Sequence, residues 1–380
     1  MPFILNSHEY CLTLLAEMTS NLFFQLLRYS LGITDEQPAN ISDEQWQELF
    51  DSAVSQAIVG LLYQGVQRLP QSQQPQNRRL KLTWHNTCQA IIESNRKLCQ
   101  HVADSISLFE QAGFDCCLLK GQGNALLYPN PLFRTPGDID LWVTRNGKLA
   151  IRDAISYVRQ TAPKAGKTCY HHIEAGKHGG TDIEIHYRPS FKNSPFHNHH
   201  LQQFFITQLP QQLAHQVEIG GRRVSVPTLA FNRIFVIDHI SRHILHEGIG
   251  LRQFIDCYYV LRQGFTPEEK EETADVLRRC GLYTTATAIM YVMREVFWLD
   301  EAHLLVPPDE KRGRFLLNEI IQGGNFGTHD KRVSRFAREN AIGRNLQRLR
   351  HDLRTLFYFP SESLWEPAFR IYHFFWRLTH

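Results

Sequence analysis

"RTPGDIDLWV", residues 134–143, sets two aspartates, Asp138 and Asp140, in a segment otherwise patterned as a buried strand. Side chains alternate across a strand, so Asp138 and Asp140 are expected on one face and Ile139, Leu141 and Val143 on the other, in a core. Two like charges at adjacent same-face positions repel, and one keeps a proton unless something positive sits between them. A divalent cation answers that need. The pair alone is a weak signal, because Asp138 can equally cap the turn after "TPG".

Working outward, "TDIEIHYRP" (181–189) repeats the pattern. Asp182, Glu184 and His186 share one face, and Ile183, Ile185 and Tyr187 the other. If the two strands are neighbours, Asp138, Asp140 and Glu184 converge on an oxygen-rich site that suits Mg²⁺ or Mn²⁺. Two such ions, about 3.5–4 Å apart, activate an attacking oxygen and stabilise a leaving one. Upstream, "LLKGQGNALLYPN" (118–130) reads as strand, glycine turn and short helix. Gly121 and Gly123 let backbone N–H groups approach phosphate, and Lys120 adds positive charge. The ending of a Walker A loop is absent. A tight strand-helix turn is the plain alternative.

The rest of the chain sets the bounds. Its 380 residues leave room for more than one domain, and 43% hydrophobic with 21% charged residues is ordinary for a globular protein. A net charge of +3 provides no global field for nucleic acid or acidic membrane. The eight cysteines form no CxxC pair, as expected of free thiols in a reducing compartment. The first residues, "MPFILNSHEYCLTLL", lack signal-peptide features, and no apolar run is long enough to span a bilayer. A soluble, cytoplasmic protein is expected.

Three zones follow from the patterning. Residues 1–112 read as a helical region, 113–227 as a mixed strand-helix core, and 228–380 as a second helical domain. This is an α+β fold. A long helix running from about residue 82 is expected to stop at Gly113, and "KHGG" (177–180) to join two strands of a hairpin.

In combination, the glycine turn, the DxD strand and a later single carboxylate resemble the DNA-polymerase-β-like nucleotidyltransferase superfamily. Within it, "LLKGQGNALLYPNPLFRTPGDIDLWV", "IEIHYRP" and "HEGIGLRQFIDCYYVL" resemble the family of uncharacterised bacterial nucleotidyltransferases over roughly residues 85–265. The resemblance implies transfer of a nucleotidyl group from an NTP to an acceptor hydroxyl with two Mg²⁺ (or Mn²⁺) ions. Asp138 and Asp140 would bind both metals, and Glu184 would be the third carboxylate, near the general base. Lys120, Gly121, Gln122 and Gly123 would stand at the nucleotide phosphates, with Gln122 where the superfamily has serine. Arg134 would steady the turn before Asp138 or contact phosphate. His246, Arg252 and Asp256 would line the nucleotide cleft; Arg252 and Asp256, four apart, could also pair with each other.

Other features have simpler readings. His171, His172, His178 and His186 crowd the hairpin without zinc-site spacing, and His186 is read as orienting Glu184. The stretch 331–354, with eight Lys/Arg against two Asp/Glu, reads as a solvated helix face rather than a grip on RNA. The aromatic tail "FRIYHFFWRL" is expected to pack on the core. Two alternatives stay open. One is a non-catalytic, antitoxin-like nucleotide- or partner-binding protein on the same fold. The other is a metal-dependent hydrolase using Glu184 and His186. The acceptor class, whether small molecule, protein or RNA, is not legible.

Overall fold

The computed structural model describes residues 21–380 except 39, 163–164, 247 and 328–340. Cys11 and the first part of the basic stretch lie outside the described residues. Helical residues 21–30 (α1) precede Asp43–Ser55 (α2), Val59–Arg68 (α3) and Arg78–Gln111 (α4). A capping box between Ser42 and Gln45 starts α2. Asn77 caps α4, and the chain leaves it through Gly113 at φ +80°, a left-handed position that glycine takes without a Cβ clash.

The central sheet contains Asp115–Leu118 (β1), Ile139–Arg145 (β2), Lys148–Leu149 (β3), His172–His178 (β4) and Thr181–His186 (β5). Its order is β1-β2-β5-β4, with β3 paired to β2. Only β2 and β5 run parallel; the other pairs are antiparallel. The β2–β5 register places Asp140 beside Glu184 and Trp142 beside His186. The short helix Gln122–Ala125 (α5) connects β1 towards β2, and Ile151–Thr161 (α6) follows β3.

The sheet is covered on both faces. Ile139, Leu141, Val143, Ile183 and Ile185 pack with Leu98, Val102 and Ile106 of α4 and with Ile155 and Val158 of α6. The opposite face carries Asp140, Trp142, Glu184 and His186. Trp142 stacks 6.0 Å from Phe231 and lies 6.4 Å from Phe205. Those rings come from Pro195–Ala214 (α7) and Leu229–His246 (α8). Between α7 and α8, Gln216–Ile219 (β6) and Arg222–Ser225 (β7) form a separate hairpin. Neither α7 nor β6 was anticipated: α7 is rich in glutamine and histidine and contains Pro210, which blurs its period.

Leu251–Arg262 (α9), Pro267–Arg279 (α10), Tyr283–Phe297 (α11) and Glu310–Gly323 (α12) complete the helical half, before the helices Ala341–Leu356 and Pro360–Thr379. Every residue of α9 from Leu251 to Leu261 is buried, so it is the axis around which its neighbours pack. Leu26, Trp46, Leu62 and Trp84 share one core with Phe254, Ile289 and Leu316, so helices from both flanks meet there. The terminal helix packs by Phe369 and Trp376, while Ile371, Phe375 and Leu378 are exposed. The seven described cysteines are free, and no described helix is long and apolar enough to cross a membrane.

The β6–β7 hairpin is seated on α4 through Gly220. A Cβ there would lie 2.4 Å from the Cys99 carbonyl oxygen, and φ is +60°. Gly221 has φ +75° but open space around it. Gly221→Ala is therefore expected to cost roughly 1–2 kcal/mol, the price of a left-handed non-glycine residue, and Gly220→Ala clearly more. Urea unfolding of the two variants separates the effects; equal losses would contradict this seating.

Candidate active site

Asp140 is the centre of the site. Only 1% of it is exposed, because it lies inside β2 beneath α8. Lys120 Nζ, at the end of β1, is 3.1 Å from its Oδ1, and His186 Nε2, at the end of β5, is 3.0 Å from the same atom. His186 Nε2 also reaches Glu184 Oε2 at 3.3 Å, as expected of a residue that orients Glu184. His172 Nδ1 is 3.8 Å from that oxygen. The positive charge that the paired carboxylates require is thus present in the chain's own Lys120 and His186.

These contacts fix the protonation states. Burial opposes the charge on Asp140, but Lys120 and His186 outweigh it and hold the pKa below the usual value. Burial likewise works against Glu184, whose pKa is nonetheless pulled down to about 2 by the His186 hydrogen bond and by His172. Burial disfavours the Lys120 charge too, yet Asp140, Asp138 and Glu184 keep its pKa raised. His186 behaves in the same way, with its two carboxylate partners outweighing burial. His172 goes in the other direction, to about 4, from burial and the neighbouring His186.

One ligand atom from each of Asp140, Glu184 and His186 lies within 4.8 Å of the others. Asp140 Oδ2 and His186 Nδ1 are buried and have no hydrogen-bond partner. A buried carboxylate oxygen left without a donor fits a cation. His171, His172 and His186 form a second close group of ring nitrogens, in which His172 Nδ1 and His171 Nε2 are 2.8 Å apart.

Asp138 lies two residues before Asp140 and, with Lys120, lines one cleft. The strand begins at Ile139, so Asp138 belongs to the preceding turn; it is partly exposed and, like Asp140, close enough to Lys120 to raise its pKa. That turn is clamped from two helices. Asn95 of α4, fully buried, donates to the carbonyls of Leu132 and Arg134, both at 2.8 Å. From α9, Asp256 takes a bidentate pair from Arg134, with both N···O distances 2.8 Å, and accepts a 2.6 Å hydrogen bond from Tyr128. Arg252 donates to the Pro136 carbonyl at 3.2 Å. Arg252 and Asp256 therefore both hold the turn, where a surface pair between them had been the simpler reading.

The glycine turn is tight. Gly121 has φ +59°, and a Cβ on Gly123 would meet Val226 at 3.2 Å. Gln122 is buried and donates to Asn95 Oδ1 at 3.3 Å, so its side chain points into α4. The following helix, α5, has four residues, too few to build a strong N-terminal dipole. Positive charge at the turn comes from Lys120 and Arg252 instead. A narrow cleft of about 20 Å³, lined by Lys120, Gly121, Asp138, Arg252 and His239, runs between this turn and α8. His239 was missed in the sequence. The only signal was its place on the α8 face shared with Phe235, one turn earlier. The side chain of His246 lies outside the described residues.

Removing one partner from a buried bidentate pair leaves an uncompensated charge. Asp256→Asn is expected to lower stability by about 3–5 kcal/mol. Burial opposes ionisation of Asp256, but Arg134 holds its pKa below the usual carboxylate value. Its contribution is therefore complete above the unfolded-state value, about 3.9, and is lost as pH falls through the lower folded value. Urea titrations should show a constant deficit for Asp256→Asn at neutral pH that narrows only in that acid range. A deficit that varied between pH 6 and 8 would refute the assignment.

The model of an uncharacterised nucleotidyltransferase family matches residues 42–298, well beyond the stretch 85–265 that carries the motifs. No curated protein matches the chain. Among solved structures, an antigenic nucleotidyltransferase-like protein from Paracoccidioides brasiliensis shares 15% identity at a TM-score of 0.28, covering 50% of this chain and 88% of its own. The family match spans more than half of the chain and takes in the glycine turn, both aspartates, Glu184, Arg252 and Asp256. The chain belongs to this family of uncharacterised nucleotidyltransferases.

Proposed function

We propose that the protein is an enzyme of the DNA-polymerase-β-like nucleotidyltransferase superfamily, working in the cytoplasm, that transfers a nucleotidyl group from an NTP to an acceptor hydroxyl. The observation that carries this reading is the parallel β2–β5 register, which sets Asp140 beside Glu184 and leaves Asp140 Oδ2 buried without a donor. Asp140 and Glu184, with Asp138 brought in from its turn, would hold Mg²⁺ or Mn²⁺. The bound ions would neutralise charge and polarise the reacting phosphate.

The chain's own groups do the rest. Lys120 and Arg252 face the cleft beside Gly121, which would widen to admit the triphosphate. With the nucleotide bound, Lys120 would exchange Asp140 for a phosphate oxygen. The acceptor oxygen forms a bond to the α-phosphorus, the bond from that phosphorus to the β-bridging oxygen breaks, and pyrophosphate leaves. Glu184 would stand near the acceptor hydroxyl, whose proton passes to solvent as the new bond forms. Positioning and charge neutralisation account for nearly all that phosphoryl transfer requires. Arg134 and Asp256, which also line this cleft, would hold the turn that carries Asp138.

One observation favours the non-catalytic alternative: Asp138 stands outside the Asp140 group, which Lys120 already neutralises. Thermal shift with each NTP and Mg²⁺ or Mn²⁺ separates the readings. A ligand at 100 times its dissociation constant adds about 2.7 kcal/mol. The expected outcome is a metal-dependent shift, and label from an α-labelled NTP in a product, both lost in Asp138→Asn/Asp140→Asn. A shift with neither turnover nor metal dependence would favour the binding protein. Lys120→Ala should weaken NTP binding about tenfold, the loss of one charge-assisted contact, and unchanged NTP affinity would remove Lys120 from the phosphate role.

A further inference from the structure

A second cavity, of about 430 Å³, meets the carboxylate cluster at His172, which is 3.8 Å from Glu184, whereas the nucleotide cleft meets it at Lys120. That volume falls in the range of small-molecule sites, about 300–1,000 Å³. His171 and His172 form its wall towards the cluster, Arg242 stands on α8, and Phe369 and His373 belong to the terminal helix. The same helix α8 lines both spaces, with His239 on the nucleotide cleft and Arg242 on the second cavity. Residues three apart on a helix share a face. On the sheet beneath, an unbroken series of contacts joins the two: Lys120 to Asp140, Asp140 to His186, His186 to Glu184, and Glu184 to His172.

An in-line displacement needs the attacking and leaving oxygens on opposite sides of the phosphorus. We propose that this second cavity is the acceptor site, and that the acceptor is a small hydroxyl compound with an anionic group beside an aromatic portion. This rests on the nucleotidyl-transfer reading above, in which the triphosphate occupies the cleft at Lys120.

The lining carries the choice of chemistry. Arg354 is paired with Glu319, and Arg370 with Glu366 and Asp352, so those charges offset one another. Arg242 differs: Asp238, one turn earlier on α8, feels its charge but is paired to Lys192 at 3.4 Å, and Arg242 makes no direct ion pair among the described residues. Its Nη1 reaches Ser190 Oγ at 3.4 Å, and its Nε is buried without a partner. His171 Nδ1 and His373 Nε2 are also buried and unpartnered, and His171 is only 4% exposed. A buried guanidinium N–H without an acceptor is costly, and an anionic group would satisfy it and, in the tautomers that carry the proton there, His171 Nδ1 and His373 Nε2. Phe191 and Phe369 stack at 4.6 Å, with Tyr170 edge-on to both, and the Arg242 guanidinium lies 5.1 Å from the Phe191 ring. That surface suits a planar ring.

The test uses the full chain saturated with a non-hydrolysable NTP analogue and Mg²⁺, so that anions cannot report the nucleotide cleft. Benzoate and its neutral counterpart benzamide are the probes, titrated by calorimetry. Benzoate should bind and benzamide should not. Arg242→Gln should weaken benzoate about tenfold or more, as loss of a charged partner does, with nucleotide affinity unchanged; Arg242→Lys should retain most of the binding. Photolabelling of the wild-type chain with 4-azidobenzoate requires no variant and should map to residues 169–172, 242–245 and 366–373. Equal benzoate affinity in folded Arg242→Gln, absence of benzoate binding at millimolar concentration, or labelling confined elsewhere would each overturn the proposal. Failure of the NTP analogue to bind would instead count against the nucleotidyl-transfer reading, and the benzoate titration would still be read without it.

Discussion

A carboxylate that water does not reach needs a positive partner, and in this protein that carboxylate is Asp140, 1% exposed beneath α8. Left alone it would take up a proton. Its charge is kept by Lys120 from the end of β1 and His186 from the end of β5, which arrive at one oxygen from two different strands. Such a contact forms only if β1, β2 and β5 are adjacent in the observed order. The sheet order and the chemistry of the cluster are thus two consequences of one requirement. The second oxygen of Asp140, buried and without a donor, is what gives the cluster a place for a cation.

The next constraint is the turn at 130–138. Irregular backbone buried between helices leaves polar groups to satisfy. Asn95 takes two of its carbonyls, Arg252 takes another, and the Arg134–Asp256–Tyr128 network ties the turn to α9. Since α9 is buried from Leu251 to Leu261, the turn is tied to a helix packed on all sides. The helices therefore do more than flank the sheet: they set where Asp138 stands relative to Asp140.

Helix α8 has a comparable double role. Its Phe231 covers Trp142 on the carboxylate face of the sheet, and further along it presents His239 and then Arg242 to two separate spaces. A reaction that joins two substrates needs two sites meeting at one set of charges. One helix lying across the sheet face is an economical way to wall both.

Much of this was legible in residue order. Period-two alternation in "DIDLWV" and "TDIEIHYRP" predicts strands with one apolar and one acidic face, and both are present. Gly113 ending α4, the glycine turn after β1 and the hairpin at "KHGG" follow from backbone sterics, which are local. The sequence by itself determined those elements, and its alternation singled out Asp138, Asp140 and Glu184 as the candidate carboxylates. What only tertiary structure decided is which partners the charges find. Asp138 falls one residue before the strand, Gln122 turns into α4, and Arg252 and Asp256 both reach for a turn more than a hundred residues away. The neutralisation of Asp140 by Lys120 and His186 belongs to the same class. Periodicity carries the direction of a side chain relative to its own backbone. It carries nothing about the element packed opposite, and buried charges are governed by that element.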